Sequence, residues 1–399
     1  MQANQRSNTP QGIVLLFVPV FIMLGAVLIA PIMGMMFQHF STTPYFQVLV
    51  PLLLTAPALC LAIFSPIAGG ICNRIGAKKL LVFSLGLYGF MGVAPVFLES
   101  LYAILASRII MGIAEAGIIT AGMVLISLYF TGDRRQKWIS YQNIALPLIG
   151  ALLLYVVGIV SAIKWQYTFG LYGLSFLVFI AAALFLYEPA QQTQAIANNP
   201  PAEKKSKISL QVIGLICLIA IPGSIGFYAV PIKLAFLLEA IGYPSPAVVG
   251  EVLSYGLIIG APSGAILARF IKHWRFGTTL ALAMTIMGAG LVTAALASDK
   301  TTVIIGVVIQ QAGGGLMLTA ALTFVLFIAP KGQTGTYSGL WWFVYTLANF
   351  ATPLVLSGID VFTPSSNVTM IAVGAFSIGM AFWLMRPPAL KAQMSSESV

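Results

Sequence analysis

Long apolar runs separated by short polar interruptions dominate this chain. Twelve can be read, at roughly 12–37, 46–71, 79–98, 101–130, 138–160, 165–187, 209–238, 247–271, 277–297, 301–329, 333–358 and 366–385. A helix needs about 20 apolar residues to cross the hydrocarbon core, so each run predicts one spanning helix, numbered here spans 1 to 12. The runs longer than about 25 residues imply tilt, or helix extending beyond the bilayer. Apolar positions are continuous rather than alternating, which argues against barrel strands. The expected fold class is an all-α polytopic membrane protein with 12 transmembrane helices. The opening MQANQRSNTP is polar, and the run after it is too long for a signal-peptide core, so it is expected to be the first span.

One internal stretch breaks the pattern. Residues 188–208, EPAQQTQAIANNPPAEKKSKI, are polar and rich in Gln, Asn, Pro and Lys, and they separate six spans from six. The expected organisation is an N-terminal six-helix bundle over 1–187, a cytoplasmic linker over 188–208, and a C-terminal six-helix bundle with a short cytoplasmic tail over 209–399. A six-plus-six plan is that of a secondary transporter with its substrate site near the membrane midplane between the halves.

Composition narrows the class. Only 8% of the 399 residues are charged, against roughly 25% in a soluble domain, which excludes a soluble enzyme. The net charge of +10 is sorted along the chain. Arg6, Arg74, Lys78, Lys79, Arg134, Arg135, Lys137, Lys204, Lys205, Lys207, Arg269, Lys272, Arg275, Lys331, Arg386 and Lys391 fall on one side, 16 of the 20 basic residues. Lys164 and Lys300 alone fall in the loops of the other side, and Arg108 and Lys233 fall inside spans. The positive-inside rule makes the rich side cytoplasmic, with both termini inside a cell (inner) membrane. The charge is then a topological collar, and no nucleic-acid partner is expected.

Other chemistries lack material. Cys60, Cys72 and Cys217 are too few and too sparse for a disulfide scaffold. No G-x-x-x-x-G-K-[ST] loop supports an ATP motor. His39 and His273 form no cluster for a metal. No cofactor is expected; a proton gradient would supply the energy.

The loop between spans 2 and 3 reads Gly69-Gly-Ile-Cys-Asn73-Arg74-Ile-Gly76-Ala-Lys78-Lys79. It resembles the G-x-x-x-D-R-x-G-x-[RK]-[RK] signature of the major facilitator superfamily. That resemblance implies alternating access and assigns Gly69, Asn73, Arg74, Gly76, Lys78 and Lys79 to its conformational motif. The motif's usual Asp, which pairs with a neighbouring helix to hold the outward-facing state, is Asn73 here. The corresponding loop after span 8, Gly264-Ala-Ile-Leu-Ala268-Arg269, is a degraded copy. Arg108-Ile-Ile-Met-Gly112 in span 4 resembles the R-x-x-x-G motif of proton-coupled members. The stretch from Tyr228 through Pro231, Phe236 and Gly242 to Gly250 resembles bacterial drug and metabolite exporters. Span 5 carries Pro147 and Gly150 without the full antiporter pattern.

Span 4 also carries Glu115, seven residues after Arg108. Seven residues are nearly two helical turns, so both lie on one face, about 10 Å apart along the axis. Ionisable groups inside a bilayer are costly and mark function by default. Burial favours a neutral carboxyl, and a nearby arginine favours the charged one. A group whose protonation depends on conformation is what coupling requires, so Glu115 and Arg108 are the proton-coupling candidates. Their spacing also resembles the proton site of the superfamily's organic-anion symporters. A static ion pair, or a helix lock to a polar neighbour, is the alternative.

Polar and aromatic residues within spans are the substrate-binding candidates: Tyr141, Gln142, Asn143, Tyr228, Gln310, Gln311, Trp341, Trp342, Tyr345 and Asn349. For these, helix packing and helix–helix hydrogen bonding are the alternatives. Lys233 and Glu251 are expected at the interface, and Asp360, Asp299 and Glu99 in solvated outer loops. The expected function is proton-coupled export of a small apolar or amphipathic compound, such as a drug or a siderophore-like metabolite, by a monomer. The rival is a proton symporter importing an organic anion.

Overall fold

The computed structural model describes residues 9–188, 210–271, 273–329, 334–362 and 365–384. Of the expected collar, Arg6, Lys204, Lys205, Lys207, Lys272, Lys331, Arg386 and Lys391 lie outside the described residues, as does the expected linker except Glu188. Among the described residues, 12 helical segments are long and apolar enough to cross a membrane. Spans 1 to 6 are Thr9–His39, Phe46–Ile75, Ala77–Val96, Leu101–Tyr129, Gly132–Ile163 and Trp165–Phe185. Spans 7 to 12 are Leu210–Ala240, Pro246–Phe270, Phe276–Ala295, Lys300–Val325, Thr336–Phe362 and Ser366–Leu384. No strand occurs among the described residues.

The chain divides into two compact units, Met1–Ile208 and Ser209–Val399. In unit 1, span 4 packs against spans 2 and 3, and span 3 also packs against span 6. In unit 2, span 9 packs against spans 10 and 12, span 7 against span 11, and span 8 against span 10. Small residues permit the closest approaches. A Cβ at Gly112 would lie 2.6 Å from Pro57 Cα and 2.8 Å from Cys60 Cβ, so spans 2 and 4 meet with the backbone of span 2 against the Gly112 face.

Proline shapes several spans, each time by removing the N–H that would bond the carbonyl four residues earlier. In span 1, Pro19 frees the Leu15 carbonyl, and Gln142 Nε2 of span 5 donates to it at 2.7 Å. In span 7, Pro231 frees the Phe227 carbonyl, and Gln310 Nε2 of span 10 donates to Gly226 O at 2.9 Å and Phe227 O at 3.2 Å. These two glutamines therefore hold proline-bent helices in place through their amide nitrogens, a structural task that their assignment as substrate ligands did not foresee. In span 8, Pro262 cannot donate, and the turn before it widens into a π-type segment, Gly256–Gly260, with Ala261 N bonded to Gly256 O. Span 1 is broken by a 3-10 turn, Ala30–Ile32, around Pro31.

The outer-loop expectation for Asp360 is corrected. Span 11 runs on to Phe362, so Asp360 sits within the helix. It is ion-paired with Lys233 of span 7 and accepts from Thr369 Oγ1 of span 12 at 2.6 Å. Lys233 is buried rather than reaching for an interface. Hydropathy falls before this helix ends because a neutralised pair lets a carboxylate remain in helix. Glu251 accepts two bonds of 3.1 Å from Lys300. Asp299 is exposed as expected and caps span 10, accepting from Thr302 N at 3.0 Å and Thr302 Oγ1 at 2.6 Å. Those bonds hold its carboxyl below the usual carboxylate range.

Three outcomes follow from this packing and hydrogen bonding. Gly112→Leu should destabilise unit 1 by about 1–3 kcal/mol through overpacking. Gly339→Ala, with nothing within 4 Å of the added carbon, should be neutral by the same thermal-unfolding measurement in detergent. Gln142→Leu should cost about 1 kcal/mol by leaving the Leu15 carbonyl unpaired, and transport affinity should be unchanged; a loss of affinity with no loss of stability would restore Gln142 to the substrate site.

Candidate functional site

Span 4 is helical from Leu101 to Tyr129, so Arg108 and Glu115 lie two turns apart on its inner face. Both are buried, at 0% and 2% exposure. The guanidinium of Arg108 lies over two rings of span 6, with its Cζ 4.7 Å from the Phe169 centroid and 4.4 Å from the Tyr172 centroid. Those rings belong to the 3-10 segment Trp165–Gly173. In that geometry side chains three residues apart eclipse one another, and Phe169 and Tyr172 are accordingly stacked, 25° from parallel. A guanidinium against aromatic faces gains cation–π attraction, which offsets part of its desolvation.

The surroundings of this box are fixed from three helices. Tyr172 Oη donates to Leu24 O of span 1 at 3.2 Å, and Tyr88 Oη of span 3 donates to Phe21 O at 2.6 Å. The Tyr88 and Tyr172 rings meet edge to face at 5.6 Å. Arg108 Nη1 donates to Met111 Sδ at 3.1 Å. Gly25 of span 1 faces the carboxyl; a Cβ there would lie 2.8 Å from Glu115 Oε1 and 3.6 Å from Met111 Cε. The interruption of span 1 at Ala30–Ile32 begins just over one turn beyond Gly25.

Arg108 Nε, Arg108 Nη2 and Glu115 Oε1 have no hydrogen-bond partner. Neither residue takes part in the ion pairs Lys233–Asp360 and Lys300–Glu251. The static ion pair that span 4 allowed is therefore not formed. A buried cation and a buried carboxyl sit on one helix face with unmet hydrogen-bonding capacity. Such a site can take up a proton at Glu115 and an acceptor group at Arg108.

The other sequence candidates separate into groups. In span 5, Tyr141 and Asn143 are exposed on the surface of unit 1, while Gln142 reaches span 1. In unit 2, Trp341, Tyr345, Asn349, Gln310 and Gln311 are buried. Trp341 and Tyr345 stack at 5.9 Å, Trp342 meets Tyr345 edge-on at 5.9 Å with 49% of its surface exposed, and the Tyr228 ring is 6.5 Å from Tyr345. Gln311 turns instead toward Gly256 and Gly260 of span 8.

At the motif loop, Gly76 has φ +97° and joins spans 2 and 3. Asn73, Arg74 and Lys79 are exposed and Gly69 is half-buried. Lys78 Nζ donates to Ala183 O at 3.0 Å. The carboxylate at this loop comes from Glu188, which accepts from Ala77 N at 2.7 Å and Lys78 N at 3.0 Å.

Sequence reading missed Glu188, Gly25, Tyr88, Phe169 and Tyr172. Only the Phe-x-x-Tyr spacing of the last two carried a signal, and it is common in apolar helices.

Known proteins bear out the architecture. The structure resembles a bacterial homologue of the human lysosomal transporter Spinster, with a TM-score of 0.76 and 16% identity over 95% of this chain and 97% of that one. It also resembles the inward open xylose transporter of E. coli, with a TM-score of 0.73 and 14% identity over 96% of each chain. In sequence, 150 residues are 33% identical to the Bacillibactin exporter of Bacillus subtilis, covering 34% of this chain and 37% of that protein. A further 25% identity over 162 residues links it to the Galacturonate transporter of Dickeya chrysanthemi, covering 40% of this chain and 46% of the relative. The chain thus spans less than half the length of either curated relative. With twelve membrane-crossing helices among its described residues and residues 15–353 matching the family model, the chain belongs to the Major Facilitator Superfamily.

Proposed function

We propose that this transporter is a proton-coupled antiporter that exports a small amphipathic compound by alternating access, with both termini cytoplasmic. The observation that carries the reading is that Arg108 and Glu115, buried on one face of span 4, keep hydrogen-bonding atoms with no partner: Arg108 Nε and Nη2 and Glu115 Oε1. The exporter-like stretch from Tyr228 to Gly250 and the 33% identical Bacillibactin exporter support the direction. The coupling logic is competition. A cargo that donates a hydrogen bond to the Glu115 carboxylate and a proton cannot occupy the same oxygen, so each displaces the other. Gly25 lets the backbone of span 1 lie against the carboxyl, just over one turn before that span is interrupted at Ala30–Ile32.

A second reading is favoured by the arginine itself. Arg108 offers Nε and Nη2 in the plane of a guanidinium already held against two rings. An anionic cargo would bind there best when Glu115 is protonated, so that proton and anion move together. That is symport, and the 25% identical Galacturonate transporter supports it.

The two readings separate in proteoliposomes carrying a pH-sensitive dye. Opposed fluxes of proton and cargo support antiport, and parallel fluxes support symport. Glu115→Gln should keep the thermal midpoint and gradient-free exchange while abolishing transport driven by a pH gradient. Full pH-driven transport by that variant would sink both readings. Arg108→Lys keeps the charge but loses the flat contact with Phe169 and Tyr172. It should weaken cargo affinity about tenfold, or about 1.4 kcal/mol, read as a rise in KM with pH-driven coupling retained; an unchanged KM would remove Arg108 from the cargo site.

A further inference from the structure

The end of span 1 and the start of span 6 meet through rings. His39, the last residue of span 1, is exposed. Its imidazole lies 5.3 Å from the Trp165 ring, 60° from parallel, and the Phe40 ring lies 5.8 Å from the same indole. Phe40 and Trp165 are buried. Trp165 opens the 3-10 segment Trp165–Gly173 and meets Phe169 edge-on at 6.1 Å. Phe169 in turn carries the Arg108 guanidinium, whose Cζ is 4.7 Å from its centroid. A continuous run of ring contacts therefore leads from an exposed imidazole to the buried arginine of span 4.

His39 is the ring in this run that can take up a charge. Histidine is the side chain whose charge ordinarily changes between about pH 5 and 8. A cation within about 6 Å of an indole is drawn to its π-face, whereas a neutral imidazole is held there by ring packing alone. The charged groups around this end of unit 1 are few. Lys164, which precedes Trp165, places its Nζ 5.9 Å from the Tyr167 centroid. Glu99, in the loop before span 4, is exposed. Arg108 lies beneath Phe169. Span 2 packs against the end of span 1, and spans 3 and 5 against the 3-10 segment. These three carry their charges at the opposite end, from Arg74 to Lys79 and from Asp133 to Lys137.

We propose that His39 is a pH sensor at the outer end of unit 1. Protonation draws its ring onto Trp165, and Trp165 passes the tightening through Phe169 to the shelf on which Arg108 rests. The sensor is distinct from the coupling carboxylate: Glu115 exchanges its proton with cargo, while His39 reports the acidity of one compartment and carries nothing across. It lets that acidity set how firmly Arg108 is held. Only the side of the membrane it reads rests on the orientation proposed above.

The first test follows the tryptophan emission of the full chain in detergent from about pH 8 to 5. An imidazolium in contact with an indole quenches its emission. The wild type should therefore lose emission along a sigmoid on acidification, and Trp165→Phe and His39→Gln should each remove that component. His273→Gln, which alters the histidine beside Trp274, should retain it. A wild type without the component, or a component that survives His39→Gln, overturns the sensor. The second test is a thermal-midpoint cycle of His39→Gln and Arg108→Lys. His39→Gln should lower the midpoint by roughly 1–3 °C at the acid end of the range and leave it unchanged at the alkaline end. The two substitutions should be non-additive at the acid end only; additivity at both ends overturns the link to Arg108. Neither measurement uses cargo, a gradient or a membrane of fixed orientation. A failure of the antiport reading therefore shows only in the flux assay, and a failure of the sensor only here.

Discussion

Hydrocarbon offers a backbone carbonyl or a charge no water to bond, so each must be satisfied by the protein itself. Most of the described polar groups obey this constraint, often by long reach. The carbonyls freed by Pro19 and Pro231 are taken by amides from spans 5 and 10. Lys233 and Asp360 neutralise one another, with Thr369 completing the carboxylate's bonds. Against that background, the places where the constraint fails become informative. Among the described residues they fall on spans 1, 4, 6, 10 and 11, and the charged ones, Arg108 and Glu115, are both on span 4.

Both units leave neutral donors and acceptors unmet, among them Gln166 and Thr168 in unit 1 and Gln311 and Trp341 in unit 2. Unit 1 adds charged groups: a guanidinium pressed on two rings and a carboxyl facing a glycine. Charge that changes with protonation can bias a conformational equilibrium, because proton and cargo then have different affinities for its states. Neutral groups cannot do this at ordinary pH; they discriminate shape and hydrogen-bonding pattern instead.

The sequence displays what is unusual in it. Twelve spans stand out because their apolar runs are continuous, and Arg108 and Glu115 stand out because charge is scarce. Phe169 and Tyr172 do not, since the chain has 25 Phe and 14 Tyr and nothing local marks the 3-10 turn that aligns these two. Gln142 and Gln310 look like ligand residues because an amide within a span is rare, yet each has a proline-freed carbonyl to fill in another helix. That task depends on which helices are neighbours, which periodicity does not encode. Asp360 is misplaced for a related reason: its partner Lys233 lies 127 positions away, and hydropathy alone reads an ion-paired carboxylate as the end of a helix.

The motif loop shows how a local departure can be offset at a distance. Where the resemblance leads one to expect an aspartate, Asn73 is exposed and uncharged. The carboxylate of Glu188 sits instead on the first two amides of span 3, the positive end of that helix's dipole. Gly76, at φ +97°, makes room for it, since a Cβ there would lie 2.6 Å from the Glu188 carboxyl carbon. Lys78 reaches the other way, to a carbonyl of span 6, so the start of span 3 and the end of span 6 are tied by three bonds. A negative charge is therefore present at this loop, supplied from the end of span 6 rather than from the motif. It acts on the helix terminus, where its worth depends on ionisation, whereas Asn73 could offer only a neutral hydrogen bond.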